Sequence, residues 1–194
     1  MLKKAVTSFT AACLILTLPP GTTGNAAPQK EKPYHLKDAT LKDKTITGDL
    51  VITPDAGKDI TLENVTVHGK TLIKGKAPDT LRLSDSELHS LSVNTPAHPT
   101  TITVSGESTV EETLLEGYVL LQETEMTAEG FENVTVTASS VKGKKAELEG
   151  EFETITTFGE KGQAQVDLNG IAERVNLDAL SFVSLASEWI SEGT

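Results

Sequence analysis

The chain predicts an all-β fold, a right-handed single-stranded parallel β-helix (β-solenoid) of about seven coils of roughly 21 residues. Three observations carry this. Apolar anchors recur at Leu41, Leu62, Leu83, Val104, Met126, Leu148 and Leu168, at intervals of 20 to 22 residues. A turn-type residue stands two positions after nearly every anchor: Asp43, Asn64, Asp85, Gly106, Gly150 and Gly170, with Ala128 the exception. Between these marks apolar and polar residues alternate with the two-residue period of a strand that buries one face.

Each element follows from these marks. Ile60-Thr61-Leu62, Val65-Thr66-Val67, Leu81-Arg82-Leu83, Leu91-Ser92-Val93, Ile102-Thr103-Val104, Val134-Thr135-Val136 and Val175-Asn176-Leu177 read as short strands. Antiparallel hairpins could use such strands, but they do not account for a fixed period with a corner residue at a fixed offset. A coil does: equivalent strands stack about 4.8 Å apart, which makes seven coils about 35 Å long. Asn, Asp and Gly at the corner tolerate left-handed backbone. Parallel crossovers are right-handed in nearly all cases. The coil around Thr127-Ala128-Glu129-Gly130 breaks the pattern. Three Pro-containing stretches, 54–58, 75–79 and 94–99, read as loops on one edge.

The domain boundaries come from the two ends. Lys3-Lys4, an apolar run from Ala5 to Leu18, Pro19-Pro20-Gly21 and a small-residue site have the layout of a secretory signal peptide over residues 1–26, cleaved after Ala26. The run is shorter than the ~20 residues that span a bilayer, so no transmembrane segment is expected once it is removed. Thr10-Ala11-Ala12-Cys13 loosely matches a lipoprotein site, and Cys13 is the minor alternative route to anchoring. Otherwise the lone cysteine leaves with the leader, and the exported chain holds together without disulfides. Residues 27–38 form a lead in which Pro33-Tyr34-His35-Leu36 could cover the first coil. Residues 39–194 are the β-solenoid domain, with a C-terminal cap near 185–194 that carries the single tryptophan, Trp189.

Composition narrows the partners. There are 17 basic residues, two of them in the leader, against 28 acidic ones. A surface of that sign argues against nucleic acid or anionic lipid. Aromatic residues make up 4% of the chain, too few for an extended stacking platform for sugars or bases.

Thr45-Ile46-Thr47-Gly48-Asp49-Leu50-Val51-Ile52, followed by Asp59 through Thr71, resembles the secreted β-solenoid modules of Gram-positive surface and S-layer-associated proteins. Gly130-Phe131-Glu132-Asn133-Val134-Thr135-Val136 is similar to a second phrase of those modules. The resemblance covers roughly residues 39 to 180. It implies a β-helix in a secreted, extracellular or cell-wall setting, with wall or matrix polysaccharide or surface proteins as partners. It carries no catalytic residues across, and no wall-binding domain stands beside the repeats.

Candidate chemistry is sparse. A polysaccharide lyase needs an Arg or Lys base beside acidic Ca²⁺ ligands, and the only two arginines, Arg82 and Arg174, lie four coils apart in the repeat. A hydrolase needs two carboxylates about 5–9.5 Å apart; Asp85 and Glu87 are one such pair among many. Glu147, Glu149, Glu151 and Glu153 alternate along one segment as an acidic stripe. They read as a solvated face, or as a loose divalent-cation site. His68 and His89 share a repeat position, six residues beyond Leu62 and Leu83, and could form a weak metal site or a charge switch. Asn64-Val65-Thr66 and Asn133-Val134-Thr135 match the glycosylation triplet, although Asn64 also suits a corner. No cofactor motif is present. The sequence reads best as a non-catalytic structural or adhesive rod. A carbohydrate-active enzyme and an extracellular glycan- or cation-binding module are the alternatives.

Overall fold

The computed structural model describes residues 31–53, 57–75, 78–137, 145–159, 164–178 and 182–185. The leader, Cys13 and most of the C-terminal cap lie outside them. The elements are β1 (Tyr34–Leu36), β2 (Thr40–Ile46), β3 (Leu50–Ile52), β4 (Ile60–Lys74), β5 (Thr80–Ser84), β6 (Glu87–Gly106), β7 (Thr109–Met126), β8 (Gly130–Thr137), β9 (Ala146–Phe158), β10 (Gln165–Asn176) and β11 (Phe182–Leu185). Among the described residues there is no helix, and none that could cross a membrane.

Every pairing is parallel, and the partners are one coil apart in sequence. The result is a β-solenoid of about six turns, not seven. Seven anchors bound only six intervals, and the outermost strands belong to incomplete coils. Each coil has three faces. Leu62 stands on the first, between Leu41 and Leu83. Val67 and Leu88 share the second. Ile52, Ile73 and Val93 follow one another on the third.

Parity decides what is buried. In β4 the pattern Ile60, Leu62, Val65, Val67 and Ile73 points inward, while Glu63, His68 and Lys70 point out. One continuous core runs from Leu41 to Leu168. It takes in a few hydroxyls: Thr71 and Thr113 are fully enclosed, and no partner is found for either side-chain oxygen.

The corner after the first face uses left-handed backbone at Asp43, Asn64 and Asp85, with φ of 50°, 54° and 49°. Asn and Asp tolerate that region better than other non-glycine residues, and here their side chains bond to the neighbouring coil. Asn64 Nδ2 donates to Asp43 Oδ1 at 2.7 Å, and the Glu107 N–H donates to Asp85 Oδ1 at 3.0 Å. The next corner is Gly106, at φ 66°, where a Cβ would lie 2.2 Å from that same Asp85 oxygen and force the carboxylate to move. Just past the corner, Ser86 accepts the Val65 N–H at 3.1 Å, and Ser108 accepts the Ser86 N–H at 3.2 Å.

The anchor column holds from Leu41 to Val104 and then changes. Val104 stands opposite Glu123, not Met126. Leu148 and Leu168 continue the neighbouring column of Ile102 and Leu121. Met126 packs from the side, partly buried. The corner of this coil is Glu125, at φ 52°, not Ala128. The cause is a longer corner: Glu123 to Gly130 takes two residues more than the matching stretch from Val104 to Thr109, and this shifts the spacing. Residues 94–99 are not a separate loop either. They continue β6, with a register shift between Thr95 and Thr100. Tyr34–Leu36 forms β1, an outer rung on β3, and Lys44 Nζ sits 4.6 Å from the Tyr34 ring centre.

Candidate functional site

The lengthened corner borders a concavity of the described surface. Residues 125–129 stand out as a wall. The next corners, at Gly150 and Gly170, are tight. Between them lies a cleft of about 770 Å³. Met126, Phe152 and Ile171 form its apolar part; Glu123, Glu125, Glu129, Glu132, Glu151, Glu153 and Glu173 surround it, and among the described residues no basic side chain lines it.

Glu123 organises the cleft. It occupies an inward position by parity, after Val119 and Leu121, but its carboxylate turns into the corner. There Oε1 accepts the Phe131 N–H and Oε2 the Glu151 N–H, both at 2.7 Å. Two neighbouring coils are thus bonded through one side chain. Room for it comes from two glycines: a Cβ on Gly130 would lie 2.2 Å from Oε1, and one on Gly150 2.4 Å from Oε2. Burial pushes the Glu123 carboxyl above the usual carboxylate range, against the lowering effect of the two N–H donors. Glu132 is raised as well, first by burial and then by Glu111, Glu153, Glu129 and Glu112. Carboxylates crowded this closely disfavour one another's charge.

The acidic stripe expected along one wall is divided. The corner at Gly150, φ 152°, separates Glu147 and Glu149 on the first face from Glu151 and Glu153 on the second. Glu147 accepts the Tyr118 hydroxyl at 3.0 Å and lies 3.4 Å from Lys145 Nζ. Glu149 accepts from Gln122 Nε2 at 2.7 Å. Lys145 also pairs with Asp167, which accepts the Ser184 hydroxyl as well. Those two contacts hold the Asp167 carboxyl below the usual range, while the hydrogen bond to Asp167 raises Lys145.

His68 and His89 do not stack one on one. The register shifts between Val67 and Lys70, so His68 and Gly69 together face the single slot of His89. His89 Nδ1 lies instead 2.7 Å from Glu111 Oε2, on the following coil. Among the described residues no group of three or more His, Cys, Asp or Glu side chains could hold a metal ion. Asp85 is committed to the corner through Glu107. Arg82, opposite Thr61, is on the first face and Arg174, opposite Thr154, on the third. Asn64 is a corner residue, and Asn133 Nδ2 donates to the Glu111 carbonyl at 3.2 Å.

Glu123 was missed by reading the residues. Its signal was an acid at the third inward position of Val119-Leu120-Leu121-Gln122-Glu123, with glycines at positions 130 and 150 to admit it. Comparison of the chain with family models, characterised proteins and solved structures finds no match.

Proposed function

We propose that this chain is an exported structural or adhesive rod that acts outside the cell or at a Gram-positive cell surface, without catalysis. The observation that carries the reading is the unbroken stack of parallel rungs. Alternate side chains are sealed inside, and the outward ones give three long walls of Thr, Ser, Glu and Lys. A rod of this kind offers length, stiffness and a repeated polar surface, which suit spacing and attachment to wall or matrix polysaccharide or to surface proteins. The leader at residues 1–26 supports export. The placement of Arg82 and Arg174 on different faces disfavours a lyase-type base beside clustered carboxylates.

Two measurements test this. Fractionation of the producing cells should find the chain in the medium or the wall fraction, cleaved near Ala26; retention in the cytoplasm would refute export. Incubation with acidic polysaccharides, with and without Ca²⁺, should release no product. Turnover in either condition would establish the enzymatic alternative.

A further inference from the structure

The outer side of the third face carries a charge pattern with its own symmetry. Lys70, Leu72 and Lys74 point outward from β4, since Thr71 and Ile73 between them are buried. The next rung presents Ser90, Ser92 and Asn94, each in register with one of the first three. The rung after that presents Glu112, Leu114 and Glu116, again in register, with Thr113 and Leu115 buried between them. Two lysines that flank a leucine therefore stand two coils from two glutamates that flank a leucine, with a small neutral row midway. Lys70, Lys74 and Glu112 are exposed, while Leu72, Leu114 and Glu116 keep part of their surface in water. Among the described residues neither lysine makes an ion pair, and nor does Glu112. Glu116 accepts the Asn94 amide at 2.5 Å through one oxygen, Oε2.

We propose that this face is the interface of an antiparallel homodimer, in which a second copy of the chain lies face to face on the third face with Ser92 at the two-fold axis. The axis runs along the strand, so the rotation keeps the strand direction and reverses the rod. It sets Lys70 of one copy against Glu112 of the other, Lys74 against Glu116 and Leu72 against Leu114. Each contact occurs twice, because a residue and its counterpart exchange places across the axis. Four ion pairs then surround two leucine contacts, an apolar centre inside a polar rim. Rungs about 4.8 Å apart put the lysine and glutamate rows about 9.6 Å from each other, and aligned sheets pack about 10 Å apart. Side chains as long as these span that gap. The rows further out bring no like charges together: Val51, in register with Leu72, meets Thr135, in register with Leu114.

The same charges exclude the other arrangements. Parallel rods, related by an axis along the rod, would set lysine row on lysine row and glutamate row on glutamate row. A slip of one coil would place the lysines over Ser90 and Asn94 and leave the glutamates without a cation. Like-charge contacts of this kind select one geometry by penalising its competitors. The chain carries 28 acidic residues against 17 basic ones, so copies repel one another in general. The lysine rung is what lets them meet here. The inference holds whether or not the rod acts at a cell surface.

Sedimentation of the chain without its leader should find a dimer that dissociates on dilution. The double substitution Lys70→Glu and Lys74→Glu makes both charged rows acidic, and Glu112→Lys with Glu116→Lys makes both basic. Each variant alone should be monomeric, with the strand signal in circular dichroism retained. Mixed in equal amounts, the two should associate one to one, because every lysine again meets a glutamate. Carbodiimide coupling of a mixture of isotope-labelled and unlabelled wild-type chains should join Lys70 to Glu112 and Lys74 to Glu116 between copies, which fixes the antiparallel orientation. A wild type that stays monomeric at every soluble concentration would overturn the proposal. So would a dimer that either variant still forms alone, variants that fail to associate when mixed, or links between copies that join Lys70 elsewhere than to Glu112.

Discussion

Single side chains at the corners control how tightly the coil can turn. Asn64 carries a left-handed backbone and a side-chain bond to Asp43. Asn64→Ala should destabilise the protein by about 1–2 kcal/mol, since it loses both the bond and the tolerance for positive φ. Asn64→Gly keeps the backbone freedom and should cost about half as much; chemical denaturation measures both. Glu123 makes a prediction about pH. Its folded-state carboxyl titrates above its unfolded value, so the stability linked to its protonation is full below the unfolded pKa and is lost as pH rises through the folded one. Asp167 has the opposite sign: its contribution is present above the unfolded pKa and fades as pH falls through its lowered folded value. Asp167 is 42% exposed and its pairing is screened by solvent, so Glu123 should dominate. Tm should therefore be higher near pH 5 than at pH 7. Glu123→Gln should flatten that difference. It should also cost about 1–3 kcal/mol at pH 7, because its amide turns an N–H toward a backbone N–H.

At the level of the strand, alternation separates residues that hold the rod together from residues that decorate it. Leu83 lies in a column between Leu62 and Val104, and almost none of it reaches solvent. Leu83→Ala should cost about 2–5 kcal/mol, the range for a buried leucine whose cavity cannot collapse. Its neighbour Arg82 points outward, and Arg82→Ala should change stability by no more than about 0.5 kcal/mol. Urea titration of the two variants compares them directly. The same parity was readable in the residues from Leu41 to Val104, where one corner residue keeps the spacing regular. It misassigned Met126 because the alternation rule places side chains only within one strand. A longer corner between strands resets which rung meets which, and nothing local announces the new register. The same kind of shift acts at the two histidines: an extra residue at Gly69 sets His68 and Gly69 together against His89, which lies beside Glu111.

Across the whole molecule, stability should grade from the middle outward, since inner rungs have neighbours on both sides and outer ones on a single side. Among the described residues β6 and β7 are each paired on both sides, whereas β1 pairs only with β3 and β11 only with β10. Native-state hydrogen exchange should find the slowest amides in β6 and β7 and the fastest in β1 and β11. Uniform protection from end to end would instead mean that the coils open as one unit. The cleft belongs to this scale too, since it draws on three successive coils. Its acidic character could be guessed from the many glutamates. Its position could not, because Glu123, Glu132, Glu151 and Glu173 are distant in sequence and meet only after the coils are stacked.

The residue order alone determined the strand type, the period near 21, the inward columns of the first coils and the chemistry of their corners, because all of these depend on neighbours a few positions away and on one repeated spacing. The tertiary structure decided the turn count, the inward carboxylate of Glu123, the split of the glutamate stripe at Gly150 and the exposure of Val175 above the buried Ile155. Each of these depends on which rung lies above which, and one change in corner length is enough to alter that for every rung that follows.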